Sequence, residues 1–162
     1  MSEILFNDPN ILQICRNATL ESLKGKIDEE ALNGLLSYMP SDAANDSRAT
    51  AADASLVSAV IWSTVSCTPK NLPWKFEESA WGPGIGGGSC TGFLYHAYKD
   101  ANDWDSFFHD AVAYHAQGIA ATGGIFQINW FNSKGVPIGQ FNGAMAGGGV
   151  FEIGNSCKWK HK

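Results

Sequence analysis

Cys90 is the residue of this sequence with the clearest capacity for covalent chemistry, and two histidines, His96 and His115, follow it along the chain. A histidine within hydrogen-bond reach can activate a cysteine as the nucleophile of a hydrolase. Nothing in the spacing brings these residues together, so the fold would have to build the dyad. Ser89 is no substitute, because Thr91 stands where a nucleophile elbow has glycine. A hydrolase stays an open hypothesis, but we predict no enzyme and no catalytic residues.

The remaining chemical motifs are incomplete. The glycine-rich stretch GPGIGGG, residues 82 to 88, lacks the Gly-Lys-Ser/Thr ending of a phosphate-binding loop. Glu77 and Glu78 are adjacent, so a strand would point them to opposite faces, which is poor geometry for an acid and base pair. The four cysteines form no C-x-x-C pair and the histidines no metal-binding spacing, so buried thiols are favoured over ligands or disulfides. We predict no cofactor and no metal site.

The composition favours a single all-β domain. Of 162 residues, 44% are hydrophobic and 17% charged, and 18 glycines accompany six Trp, four Tyr and nine Phe. The net charge of -5, without a basic cluster in the body of the chain, argues against nucleic acid as a partner. The acidic, proline-containing start and the absence of a long apolar run predict neither a signal peptide nor a membrane span. We therefore expect synthesis in the cytoplasm.

The first 40 residues predict a small helical segment. Asp8 and Pro9 are typical of a helix start, and Leu32, Leu35, Leu36 and Met39 form the apolar stripe of a second helix that ends at Pro40. Residues 41 to 54 are small and polar, which indicates a linker before a β domain at 55 to 160. Because this linker carries no core-forming pattern, we predict that a chain beginning near Ala51 folds alone.

From Ser55 onward the pattern predicts seven or eight strands. SLVSAVIWSTVSC is interpreted as one strand, followed by WKFEES, CTGFLYHAY, AVAYHAQGIA and TGGIFQINWF. Asn132 to Gly135 predict a hairpin turn and a returning strand from Val136. The helix DWDSFFHD, capped by Asp100 or Asn102, is expected to cover one end of the sheet. We expect five aromatic side chains to face the interior, Trp62, Phe93, Tyr95, Tyr114 and Phe126, and four glycines to serve packing, Gly143, Gly147, Gly148 and Gly149.

Several of these pieces, in this order and spacing, resemble the conserved domain of the Vap family of bacterial virulence-associated proteins. The matching positions are Asn129, Trp130, Phe131, Asn132, Ser133 and Gly135, then Gly139, Gly143 and Ala144, the earlier Gly82, Gly84 and Gly88, and the late Trp159. The resemblance covers about residues 55 to 160. It implies a compact eight-stranded antiparallel barrel of Greek-key type with a short capping helix. It also implies a secreted virulence factor with no established catalytic residues, here exported by a signal-independent route.

Two function classes follow besides the hydrolase. The first is a non-enzymatic, toxin-like effector barrel that contacts a host membrane or a host protein through its glycine-rich, apolar and aromatic surface. The alternative is a lipocalin-like or avidin-like barrel that binds a small ligand inside. An interior filled by side chains would leave no room for such a ligand.

Overall fold

Two helices precede a sheet of nine strands in the computed structural model, which describes residues 9–25, 28–38, 48–59, 61–81, 87–119, 125–145 and 152–162. A third helix lies between the fourth and fifth strands. The elements are α1 Pro9–Leu23, α2 Glu29–Tyr38, β1 Ala49–Ala59, β2 Trp62–Pro69, β3 Trp74–Trp81, β4 Gly87–His96, α3 Trp104–Asp110, β5 Ala113–Ile119, β6 Ile125–Phe131, β7 Pro137–Met145, β8 Glu152–Ser156 and β9 Lys160–His161.

The strand order β8-β5-β6-β7-β4-β1-β2-β3-β9 contains two Greek keys, and every pairing is antiparallel. In each key, three consecutive strands form a meander and the fourth returns beside the first. The sheet curls until β3 approaches β8, where the Lys158 backbone N–H donates to Glu78 Oε1 at 3.0 Å. The predicted antiparallel barrel with a capping helix is confirmed. The ninth strand is the two-residue β9.

Several local predictions are confirmed. Both N-terminal helices form, and Leu32 and Leu35 are buried while Met39 and Pro40 lie outside the described residues. The hairpin after Phe131 turns at Gly135, whose φ of 76° is in the region that glycine tolerates best. Asn132 Oδ1 holds this turn by accepting from the backbone N–H of Lys134 and Val136.

Three boundaries differ from prediction. SLVSAVIWSTVSC is a hairpin of β1 and β2, because the chain reverses between Ala59 and Trp62 without a glycine or proline to mark the turn. The segment predicted as linker includes the start of β1, since Ala49 already pairs with Tyr95 of β4. The cap of α3 is Asp103, whose carboxylate accepts from the Ser106 N–H, and neither Asp100 nor Asn102.

Aromatic side chains fill the barrel interior. Phe76, Trp130 and Trp159 lie in mutual contact, with ring centroids 5.2 to 5.4 Å apart. Phe107 and Phe108 of α3 close the same end of the barrel against Trp159, at 5.8 and 4.7 Å. Pairs with this spacing and tilt are favourable beyond the apolar area they bury. The capping role predicted for α3 is therefore confirmed.

The outer face of β6 and β7 is covered by the N-terminal helices. Leu23, Leu32 and Leu35 pack against Phe131 of β6, and Cys15 packs with Tyr95 and Ile125. Every residue of β6 is consequently buried, on both faces of the strand. The helices and the sheet share buried contacts, which argues against the prediction that the barrel folds independently of them.

A ring of four amide side chains lies between α1 and this outer face. Gln127 donates to Asn142 at 2.9 Å, Asn142 to Gln140 at 2.8 Å, Gln140 to Asn129 at 2.6 Å, and Asn129 back to Gln127 at 3.4 Å. The second protons of Gln127 and Gln140 reach the Cys15 carbonyl and Thr19 Oγ1. Because a buried amide costs free energy unless it is hydrogen-bonded, the ring depends on α1 to complete its bonds.

Candidate functional site

The two ends of the barrel differ in charge. At one end the strands are joined by residues 60–61, 82–86, 120–124 and 146–151, and none of these segments contains Asp, Glu, Lys or Arg. We call this the uncharged end; apart from Ile61, these connecting residues lie outside the described ranges. At the other end every connection carries at least one charge, from Lys70 to Lys158. We call that the capped end, because α3 covers it.

Four large apolar side chains are exposed beside the uncharged end. Trp81 is 69% exposed, Val57 67%, Ile61 58% and Trp62 39%. Trp62 and Trp81 are directly paired across β2 and β3, and their rings meet edge to face at 4.8 Å. We call these four residues the tryptophan patch. Single exposed apolar residues are ordinary on protein surfaces, but a cluster without charges is typical of an interaction site.

A row of hydroxyl groups lies next to the tryptophan patch. Thr64 Oγ1 and Ser79 Oγ are 2.8 Å apart, and Ser55 Oγ and Ser66 Oγ are 2.5 Å apart. The register places Thr64 opposite Val57 and Ser79, one step below the two tryptophans. The outer face of β1 to β3 therefore changes from aromatic at its rim to hydroxyl further down.

The Cys90 hydrolase has no geometric support. Cys90 and His96 are six residues apart on β4, about 20 Å along an extended strand. Cys90 belongs to the interior cluster, while His115 follows the interior Tyr114 and so faces the other side of the sheet. Burial raises the pKa of the Cys90 thiol from 9.0 to about 12, so the thiol stays protonated at neutral pH.

His96 is held as a neutral side chain. It is buried, its Nε2 contacts the Ala101 carbonyl at 2.9 Å, and its Nδ1 accepts from the Tyr98 backbone N–H at 3.1 Å. Desolvation lowers its pKa, although the Ala101 carbonyl opposes that effect. Its two nitrogens therefore serve to fix the loop that leads into α3.

Cys15, Cys67, Cys90 and Cys157 are free thiols, and the first three are buried.

Of the five aromatic residues expected inside the barrel, only Tyr114 and Phe126 lie there. Trp62 belongs to the exposed patch, and Tyr95 lies on the outer face against Cys15 of α1. Phe93 shares the outward parity of Tyr95. The reversal between β1 and β2 explains the error for Trp62, since it separates this residue from the alternation that includes Leu56. The interior is filled instead by Phe76, Phe107, Trp130, Phe141 and Trp159.

Trp81 is the functional candidate that the sequence reasoning missed. Alternation along WKFEESAW places Phe76 and Ala80 inward and Trp81 outward, which the burial pattern bears out. Extending WKFEES by two residues would have revealed it. Of the glycines assigned to packing, Gly143 is described, and an added Cβ there would lie 2.7 Å from the Phe141 ring. Gly147, Gly148 and Gly149, like Gly82 and Gly84, lie outside the described residues.

The described ranges contain neither a metal-binding cluster nor a helix that could span a membrane. No group of three or more His, Cys, Asp or Glu side chains is placed to hold a metal ion. None of the described helices is long and apolar enough to cross a bilayer.

The comparisons with known proteins agree with this architecture. Residues 11–160 match the family described as Rhodococcus equi virulence-associated protein. The solved structure of VapD from the intracellular pathogen Rhodococcus equi is similar, with a TM-score of 0.59 and 22% identity over 69% of this chain and 96% of that one. VapB from the same organism has a TM-score of 0.54 and 21% identity, over 70% and 97%. No curated protein sequence matches significantly. The family match spans most of the chain, including α2 and all but the first two residues of α1, and the chain belongs to the Rhodococcus equi virulence-associated protein family.

Proposed function

We propose that this protein is a non-enzymatic virulence effector that contacts a host membrane through the tryptophan patch at its uncharged end. The observation that carries the proposal is the exposed, cross-strand pair of Trp62 and Trp81, flanked by Val57 and Ile61. The connecting segments next to this pair, residues 60–61 and 82–86, contain no charged residue. Tryptophan is enriched where proteins meet the interface of a bilayer, because its ring is apolar and its N–H is polar.

The hydrophobic effect, and not electrostatic attraction, would drive binding of the tryptophan patch to a membrane. The net charge of -5 opposes approach to an anionic bilayer. Full burial of one large apolar side chain contributes about 1.5 to 3 kcal/mol, so four partly exposed side chains support reversible association. We therefore expect binding to neutral lipid that changes little with salt.

The filled interior disfavours the small-ligand alternative. A lipocalin-like site needs a cavity within the strands, but Phe76, Trp130 and Trp159 occupy the described interior. A host protein is a second possible occupant of the tryptophan patch, because exposed aromatic residues also anchor protein interfaces. No observation in the described residues favours a protein over a membrane as the occupant, so a host protein remains an outcome of the test.

Flotation with vesicles of defined composition tests the proposal. Phosphatidylcholine vesicles should carry the protein with them, and raising NaCl from 50 to about 500 mM should leave the bound fraction unchanged, because screening weakens only charge interactions. Adding an anionic lipid should not increase binding. No flotation with neutral vesicles, or flotation only with anionic vesicles at low salt, would contradict the proposal.

A further inference from the structure

A cleft of about 350 Å³ lies between α2 and the capped end of the barrel. Leu35 and Gly34 of α2 form one wall, and Tyr98, Pro137 and Ile138 form the opposite one. This volume is at the lower end of the range for small-molecule sites. The cleft is remote in the fold from the tryptophan patch, which lies at the other end of the strands.

Gly34 is a second feature of this cleft, and no packing contact within the described residues explains it. It stands inside α2, where glycine costs about 1 kcal/mol relative to alanine. A close neighbour usually explains such a glycine, but a Cβ added at Gly34 would meet no described atom within 4 Å. Its φ is not positive either, so no strained backbone requires it. The glycine keeps open a space that the described residues leave empty.

The charge at the rim of the cleft selects one kind of ligand. Only two of its lining residues, Asp28 and Glu30, carry a charge, and both are acidic and exposed. Acidic residues in the first turn of a helix also stabilise it through the helix dipole, which accounts equally for Glu29. Glu29 does not line the cleft, so the two roles can be separated by experiment.

We propose that this cleft binds a small apolar molecule with one cationic amine. The apolar body would lie against Leu35, Pro137 and Ile138 in the space beside Gly34. The ammonium group would remain at the rim near Asp28 and Glu30. Neither the family resemblance nor the membrane contact requires such a site.

Three eight-carbon probes of different charge test the proposal on the full chain: n-octylammonium, n-octanol and n-octyl sulfate. Titration followed by amide chemical shifts reports both affinity and location. We expect octylammonium to saturate one site, with the largest shifts at Gly34 and Ile138 and not at Trp62 or Trp81. Octanol should bind more weakly and octyl sulfate more weakly still.

Matched variants separate the volume of the cleft from its charge. Gly34→Leu should fill the cleft and weaken octylammonium binding at least tenfold, while Gly34→Ala improves helix propensity but leaves most of the space. Glu30→Gln should weaken binding about two- to five-fold, as expected for one exposed charge, and Glu29→Gln should leave binding unchanged. The proposal would be overturned if octylammonium bound Gly34→Leu as tightly as the wild type. It would also be overturned if octyl sulfate bound as tightly as octylammonium, or if octylammonium showed no saturable binding. The charge series on the wild type decides the matter even if Gly34→Leu does not fold.

Discussion

Tryptophan is buried at the capped end of this barrel and exposed at the uncharged end. At the capped end Trp159 is 1% exposed and packs against Phe76, Phe107, Phe108 and Trp130. At the uncharged end Trp81 is 69% exposed, and the ring contact found for it is with Trp62. Buried aromatic residues stabilise a fold, whereas exposed ones cost solubility unless they meet a partner.

The difference indicates that the aromatic residues of the capped end stabilise the fold, whereas those of the uncharged end are available to contact a partner. α3 supplies a lid of Trp104, Phe107 and Phe108 to the capped end, and its surface is charged. Across the barrel wall, α1 and α2 cover the outer face of β6, while no described element covers the outer face of β2 and β3 near Trp62 and Trp81. Among the described residues, the large exposed aromatic side chains are therefore confined to one end and one side of the barrel.

The largest expected effect comes from truncating the aromatic residue of the capped end. Trp159→Ala should lower the free energy of unfolding by about 3 to 5 kcal/mol, because it leaves a cavity among several rings. Trp81→Ala should lower it by less than about 1 kcal/mol, since little of this side chain is buried. Chemical denaturation of both variants measures the contrast. Similar losses at the two positions would break the distinction between the ends.

The second prediction concerns the outer face of β6, which the N-terminal helices cover. Leu35→Ala should cost about 2 to 5 kcal/mol, because Leu35 is 1% exposed and packs with Leu32 and Phe131. Unfolding should remain a single transition for circular dichroism and tryptophan fluorescence alike. A loss below about 1 kcal/mol, or separate transitions for helices and barrel, would instead support a barrel that folds alone.

A smaller effect is expected where strand β7 passes the interior. Gly143→Val should destabilise by about 1 to 3 kcal/mol, because its Cβ would lie 2.7 Å from the Phe141 ring and 2.9 Å from Cys90 Sγ. Vesicle binding should fall only as far as folding does.

A double-mutant cycle provides the control for Gly143. Gly143→Val combined with Phe141→Leu should cost less than the sum of the single changes, because the smaller side chain relieves the overlap. Additive losses would show that the Phe141 contact is not the cause. If Gly143→Val keeps the unfolding midpoint of the wild type but no longer binds vesicles, the membrane-contacting surface includes the region of Gly143.

The sequence predicts most of this fold because its local signals agree with one another. The alternation of FQINWF, the turn at Gly135 and the apolar stripe of α2 each specify an element, and each element forms where expected. The hairpin between Ala59 and Trp62 was missed because its turn consists of apolar residues, which carry no turn signal.

The candidate site was harder to predict for the same physical reason. Whether Trp62 faces inward depends on a reversal that the local pattern does not encode. A missed turn inside a segment taken as one strand reverses the predicted face of the residues after it in that segment. The ring of four amide side chains could likewise not be predicted from the sequence. Gln127 and Gln140 lie on two separate strands, and their amide groups complete their hydrogen bonds with the Cys15 carbonyl and Thr19 of α1, which no local pattern places beside them.

The central claim is that the tryptophan patch binds membrane without contributing to stability. Trp62→Ser with Trp81→Ser removes both exposed rings, and Val112→Ser with Val136→Ser removes two side chains of 40% and 37% exposure away from the uncharged end. Flotation with phosphatidylcholine vesicles, with the unfolding midpoint measured on the same samples, compares the two double variants. We predict that the tryptophan variant keeps a near-wild-type midpoint and loses at least tenfold in vesicle binding, while the valine variant binds as the wild type does. Undiminished binding by the folded tryptophan variant would contradict the account.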